Sequence, residues 1–365
     1  MKNIILAIIA IVSVSLYVIS GNDKLMSEIL NKRASMRSAF GADLRYGDLY
    51  NMTFLPEFRN EDPLLHNIRP DTTSTIKRDI NLYALGNSYL LTFVKSQLIF
   101  DGVKKFWGGK YYLLESPVLD TTQKNILLIQ MTERSVGIFA DTETIASRFA
   151  PVTPKSPVDT LPVFTRSNPI VYQSFKNKIF NPQIQKKVEF NLFDYRIFTP
   201  LKELKATLNY KFFNRISPDV AISPDKKNLF LAATVDSVNK FTSLTDKYSS
   251  FNKIDDKEID TLVLSFNKLY IDFKARGFDE VYLSIIPNPA TVISPLMGTY
   301  NNLIPRIQYH SALKMPYVDV YKKFKTVKEP IYQQADTHWN NRGFKLWVDE
   351  FNKVLVSAYK PAKKS

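Results

Sequence analysis

The sequence predicts an α/β fold, with a parallel sheet flanked by helices in three layers and carrying one inserted segment. Three observations predict it. Short apolar runs recur at residues 80–85, 125–131 and 281–286, each closed by turn-forming residues. Helical patterns alternate with them, as in sheets covered on both faces. Between 145 and 250 the pattern gives way to a proline- and aromatic-rich stretch, and afterwards it resumes.

Taken in order, residues 1–20 hold one lysine followed by an apolar run from Ile4 to Ile19. A short positive region before an apolar run marks a signal peptide, or an anchor if it is not cleaved. Residues 21–75 are polar and mixed, and read as a spacer with a helix near 23–38. The main domain is expected over 76–365. Its first strand, 80–85, stops at Gly86-Asn87-Ser88, and a helix is expected over 89–106. A second strand is expected at 110–114 and a third at 125–131. The insertion, about 145–250, has one helical candidate at 201–213, after Thr199-Pro200. A long helix over 256–276 ends at Gly277, where a glycine cap belongs. A strand follows at 281–286, a helix near 298–313 and a short strand at 317–320. An amphipathic helix over 341–359 closes the chain.

Composition narrows the function. With 45% hydrophobic and 13% aromatic residues, the bulk of the chain is not disordered. There is no cysteine, which removes thiolate metal sites and cysteine nucleophiles. Three histidines are scattered along the chain, and neither a metal nor a cofactor is expected. The net charge of +14 favours polyanions. An export signal turns that preference away from nucleic acid and toward envelope polysaccharide or lipid. A merely lysine-rich solvated surface fits the same number.

Two stretches could do chemistry. Ser88 lies at the turn after the first strand, the sheet edge where α/β proteins bind ligands. Its own N–H there can face a developing oxyanion. Asp336 and His338 stand two residues apart in a loop before the last helix, so the carboxylate can orient the imidazole as base toward Ser88. Alone, Gly-Asn-Ser reads first as an ordinary turn and helix cap, and Asp336/His338 first as a structural pair in a surface loop.

The ordered set Leu85-Gly86-Asn87-Ser88-Tyr89, Ile129-Gln130-Met131-Thr132-Glu133-Arg134, Ile286-Pro287-Asn288-Pro289, Tyr317-Val318-Asp319-Val320 and Asp336-Thr337-His338-Trp339 with Gly343 resembles the SGNH (GDSL-like) hydrolase superfamily. More closely, it is similar to the alginate-type polysaccharide O-acetyltransferases, which share the D-T-H-W stretch, although the blocks here follow the general SGNH order. The resemblance implies Ser88 as nucleophile, His338 as base and Asp336 as its orienter. It also implies a polysaccharide acceptor and an MBOAT-type membrane acyltransferase supplying acetyl groups. Asn87 stands where that family has an aspartate. Its second-block glycine is not identifiable, since Gly108 and Gly109 precede the expected second strand. Its third-block asparagine is replaced by Thr132-Glu133-Arg134, which makes Arg134 a candidate oxyanion donor beside Asn87; a structural Glu133–Arg134 pair is the alternative. Trp339 could stack on a sugar or wall the site. The expected function is an exported O-acyltransferase, with a carbohydrate esterase or a non-catalytic polysaccharide-binding scaffold as alternatives.

Overall fold

The computed structural model describes residues 2–21, 28–29, 32, 47–49, 52–59, 77–111, 117–149, 189, 193, 195–235 and 247–359. In chain order the elements used below are α1 (Lys2–Gly21), β1 (Ile80–Gly86), α2 (Ser88–Leu91), β2 (Val103–Lys110), β3 (Lys124–Thr132), α3 (Thr142–Arg148), α4 (Thr199–Thr207), β4 (Val220–Ile222), β5 (Leu229–Leu231), α5 (Asp256–Ala275), β6 (Glu280–Ile286), α6 (Leu303–Gln308), α7 (Val320–Thr326) and α8 (Asn341–Tyr359). The chain divides into two compact units. One comprises Met1–Arg45 with Val158–Arg215, and the other Tyr46–Pro157 with Ile216–Ser365.

The larger unit is built on a four-stranded parallel sheet in the order β2-β1-β3-β6. Because side chains alternate along a strand, its two faces feed two separate cores. Leu127, Ile129, Met131 and Leu283 pack with Leu262, Phe266 and Phe273 of α5. Ile126, Leu128, Tyr282 and Ile286 pack with Phe344, Trp347 and Phe351 of α8. The result is helix–sheet–helix layering, as expected where β1, β3 and β6 are apolar throughout. Asp255 caps α5 by accepting the Glu258 N–H at 2.7 Å. Gly277 takes the positive φ of +102° that ends it.

Several sequence expectations need correction. The helix expected over 89–106 is one turn, α2, followed by a 3-10 turn (Gln97–Ile99) and β2. Gly102, at φ +71°, turns the chain into the strand. The second strand is therefore Val103–Lys110, not 110–114, and Gly108 and Gly109 lie inside it. Residues 112–114 fall outside the described ones, as does most of the helix expected at 23–38. The strand expected at 317–320 is a single parallel bridge, Leu283 to Tyr317, because Asp319 caps α7 and starts a helix at Val320. The helix near 298–313 is confined to α6. The insertion does not stand apart throughout, since β4 and β5 pair within the larger unit. Part of the supposed spacer also joins that unit: Phe54, Leu55 and Phe58 are buried.

Candidate active site

β1, β3 and β6 run parallel, so Ser88, Arg134 and Asn288 all follow strand ends on one edge of the sheet. Ser88 opens α2. Asn87 caps that helix: its backbone is extended and its side-chain oxygen accepts the Tyr89 N–H at 3.0 Å. The Asn87 N–H in turn donates to Gln130 Oε1 at 3.3 Å, tying the turn to β3. These bonds fix the turn and leave the Ser88 side chain facing solvent. Among the described residues, the Ser88 N–H meets no acceptor.

The opposite half of the site comes from the loop before α8. Tyr332 and Trp339 form an antiparallel bridge. It is closed by Gln333 N–H to His338 O (3.1 Å) and Asn340 N–H to Ile331 O (3.0 Å). The residues between them form a tight loop carrying Asp336 and His338. Gly343 permits this closure, because a Cβ there would lie 2.2 Å from Ile331 O.

His338 Nε2 lies 2.7 Å from Ser88 Oγ, and His338 Nδ1 lies 2.6 Å from Asp336 Oδ1. With Asp336 accepting from Nδ1–H, the Nε2 lone pair is left to accept the serine proton; this tautomer is assigned from the bonding pattern. The fold thus brings together all three residues of the expected triad. Asp336 Oδ1 also accepts the His338 backbone N–H at 2.8 Å, which locks the carboxylate against its own loop.

A second carboxylate stands beside the first. Asp48 Oδ2 lies 3.5 Å from His338 Nδ1. Its Oδ1 accepts the Thr337 N–H at 2.8 Å, its other oxygen accepts the Thr337 hydroxyl, and its own N–H donates to Asp336 Oδ2 at 2.8 Å. Gly47, at φ +151°, lets the segment pass here, since a Cβ would meet Ala335 O at 2.0 Å. Burial, then the charge of Asp336, raises the Asp48 carboxyl above its usual range, against the pull of its Thr337 hydrogen bonds. Burial on its own would lower the His338 pKa. The Asp336 hydrogen bond and the charges of Asp336 and Asp48 outweigh it, with Arg134 opposing, and the net shift is upward. Asp48, Asp336 and His338 place ligand atoms within 4.8 Å of one another, a donor set able to hold a cation. Here the carboxylate oxygens accept N–H and O–H groups, the His338 Nδ1–H among them, an arrangement suited to moving a proton.

The other candidates fall in different places. Arg134 is half-buried near the imidazole, where its charge reaches both His338 and Tyr89. Among the described residues it makes no hydrogen bond or ion pair. It does not pair with Glu133, which turns inward. Glu133 Oε2 accepts the Asn288 N–H at 2.9 Å and the Thr291 hydroxyl at 2.8 Å. Its Oε1 makes no well-formed hydrogen bond, and Tyr300 approaches the carboxylate only loosely. Burial pushes the Glu133 carboxyl up to about 7. Trp339 has no exposed face. It packs against Tyr89 at 5.5 Å and Trp347 at 5.7 Å, so the stacking role for a sugar gives way to that of a wall. Tyr89 underlies the imidazole, with ring centres 4.7 Å apart.

The sequence reading missed Asp48 and the anchoring role of Gln130. Gln130 left a trace, a polar side chain inside an apolar strand. Asp48 left none, because its partners lie nearly 290 positions away. A cleft of about 800 Å³ is lined by Lys227, Val292, Lys328, Ile331, Tyr332 and Arg342 among others, and neither Ser88 nor His338 borders it. Comparison of the chain with protein-family models, curated proteins and solved structures finds no match.

Proposed function

We propose that this protein is an exported, serine-dependent O-acyltransferase that moves an acetyl group onto an envelope or exported polysaccharide. Ser88 Oγ attacks the carbonyl of the donor while its proton passes to His338 Nε2. The tetrahedral intermediate collapses, the leaving group takes that proton, and acetyl-Ser88 remains. A sugar hydroxyl then attacks the acyl carbon, giving its proton to His338, which returns it to Ser88. The 2.7 Å Ser88–His338 contact, completed by Asp336, is the observation that carries this reading. The Ser88 N–H and the Arg134 guanidinium supply charge for the oxyanion. The resemblance to SGNH enzymes of the alginate type and the basic surface support a polysaccharide acceptor. They also support a multi-pass MBOAT-type membrane acyltransferase as acetyl source.

One observation favours a second reading. Ser88 is exposed, so water can reach the acyl-serine, and the same chemistry then runs as a carbohydrate esterase. The N-terminal helix α1 is long and apolar enough to cross a membrane, and a signal sequence fits the same description. Either is compatible with export. The test is acetyl transfer from an activated ester to oligosaccharides, with wild type and Ser88→Ala compared. Transfer that depends on Ser88 supports the transferase, and Ser88-dependent hydrolysis alone supports the esterase. Glycan binding with neither activity would leave a non-catalytic scaffold.

A further inference from the structure

The helix α4 turns the wrong face to water. Ile197, in the 3-10 turn Arg196–Phe198 that leads into α4, and Leu201, Leu204, Leu208 and Phe212 recur at spacings of three and four residues, which sets them on one stripe along that turn, α4 and the π-helical turn (Leu208–Phe212) that continues it. All five are exposed, Leu201 by 63% and Phe212 by 75%. The buried positions of α4 are Thr199 and Ala206, on the opposite side. A helix that only had to pack on its own protein would bury the leucines and expose the threonine. Phe213, next in the chain, is exposed as well, with the Arg215 guanidinium 5.3 Å from its ring centre.

Charge says what covers this stripe. Residues 196–215 carry five basic side chains, Arg196, Lys202, Lys205, Lys211 and Arg215, against the single acid Glu203. Lys205 is paired with Glu189. A leucine–phenylalanine stripe bordered by lysine and arginine is the pattern of a helix lying in the headgroup layer of an anionic bilayer. The compact unit that holds α4 also holds α1, the apolar N-terminal helix. We propose that α4 with its π-turn is an interfacial membrane-docking helix, its apolar stripe set into an anionic lipid surface. This goes beyond the acyl-transfer reading and does not depend on it.

The chain has no cysteine, so single labels can be placed cleanly. Full-length Leu204→Cys, Leu208→Cys and, as control, Lys202→Cys would each carry a nitroxide and be reconstituted into phosphatidylglycerol-containing or purely phosphatidylcholine vesicles. Leu204 and Leu208 are exposed, so labels there leave the fold intact, and comparing positions within one full-length chain makes the readout local. In the anionic vesicles, collision with oxygen relative to a water-soluble nickel complex should rise several-fold at 204 and 208 but not at 202. The rise should be smaller in phosphatidylcholine. Equal nickel access at all three positions in both vesicles overturns the proposal. So does protection at 204 and 208 that appears only when a membrane acyltransferase is co-reconstituted, which would assign the stripe to a protein partner.

Discussion

Asp48→Asn removes one of the two negative charges facing His338 while keeping an oxygen for the Thr337 N–H. In the proposed reaction the imidazole becomes a cation during attack by Ser88, so its attraction to Asp48 would stabilise the transition state. At the observed 3.5 Å, that attraction is about 1 kcal/mol with full water screening and about 5 kcal/mol at an effective dielectric constant of about 20. The Asp48 side chain is 38% exposed and that of His338 19%, which puts the pair nearer the screened limit. The expected loss is about 1–2 kcal/mol, a roughly 5- to 30-fold fall in kcat/KM. The pH dependence carries the sign. His338 acts as base only when neutral, and its pKa is raised, so wild-type activity climbs as pH rises through a point above the ordinary histidine value. Without Asp48 the imidazolium loses a stabilising charge, and the acidic limb moves to lower pH. The assay is kcat/KM for an aryl acetate across pH 5–9, with circular dichroism to confirm folding. An unchanged rate with an unchanged limb, or a limb moved to higher pH, would refute the electrostatic role of Asp48.

Other expectations follow the same geometry. Asp336→Asn removes the carboxylate charge and lets an amide N–H face Nδ1, favouring the wrong tautomer, and should cost about 10⁴-fold in kcat, read in the same ester assay. A loss under tenfold would mean that Asp48 takes over the orienting role. Arg134→Ala should lower kcat by about 10²–10³-fold while KM for a neutral ester hardly moves; a change in KM alone would make Arg134 a binding group. Glu133 holds its proton to about pH 7 when folded, against an ordinary value of 4.5. Its contribution to stability therefore falls as pH rises from about 4.5 to about 7, by about 3 kcal/mol in all, and is level above. In urea unfolding, Glu133→Gln should flatten that slope, and a variant as pH-dependent as wild type contradicts the assignment. Gly343→Ala should destabilise the fold by about 1–3 kcal/mol, because the new Cβ would strike the Ile331 carbonyl; an unchanged melting temperature would show that the loop yields freely.

The strands β1, β3 and β6 were legible because they are apolar on both faces, whereas the edge strand β2, with Lys104, Lys105 and Lys110 exposed, was not. The Ser88–His338 contact was legible for a different reason. Ser88 follows the end of one strand and His338 precedes a strongly amphipathic helix, and those positions, together with the D-T-H-W resemblance, linked two stretches that are each weak alone. What the sequence hid was the local course of the chain. Gly102 ended the region after Ser88 as turn and strand, where residues 89–106 read as a helix. Asp319 was counted as part of a strand although its side chain caps a helix, accepting the Lys322 N–H at 3.2 Å. Trp339 shows the limit for side chains, since its neighbours in sequence say nothing of the aromatic layer that buries it. Asp48 shows the limit for distant contacts. A polar stretch with no periodicity gives no hint that Gly47 will thread one carboxylate against a loop at the other end of the chain.

In the proposed reaction Ser88 carries the acyl group. Brief incubation with an acetyl donor at a pH where His338 is neutral, rapid acid quench and peptide mass analysis test it directly. The expected result is an acetyl increment on the peptide containing Ser88, absent in Ser88→Ala and strongly reduced in His338→Ala. An acetylated product formed at the wild-type rate by Ser88→Ala, or an increment found on some other side chain, would contradict it.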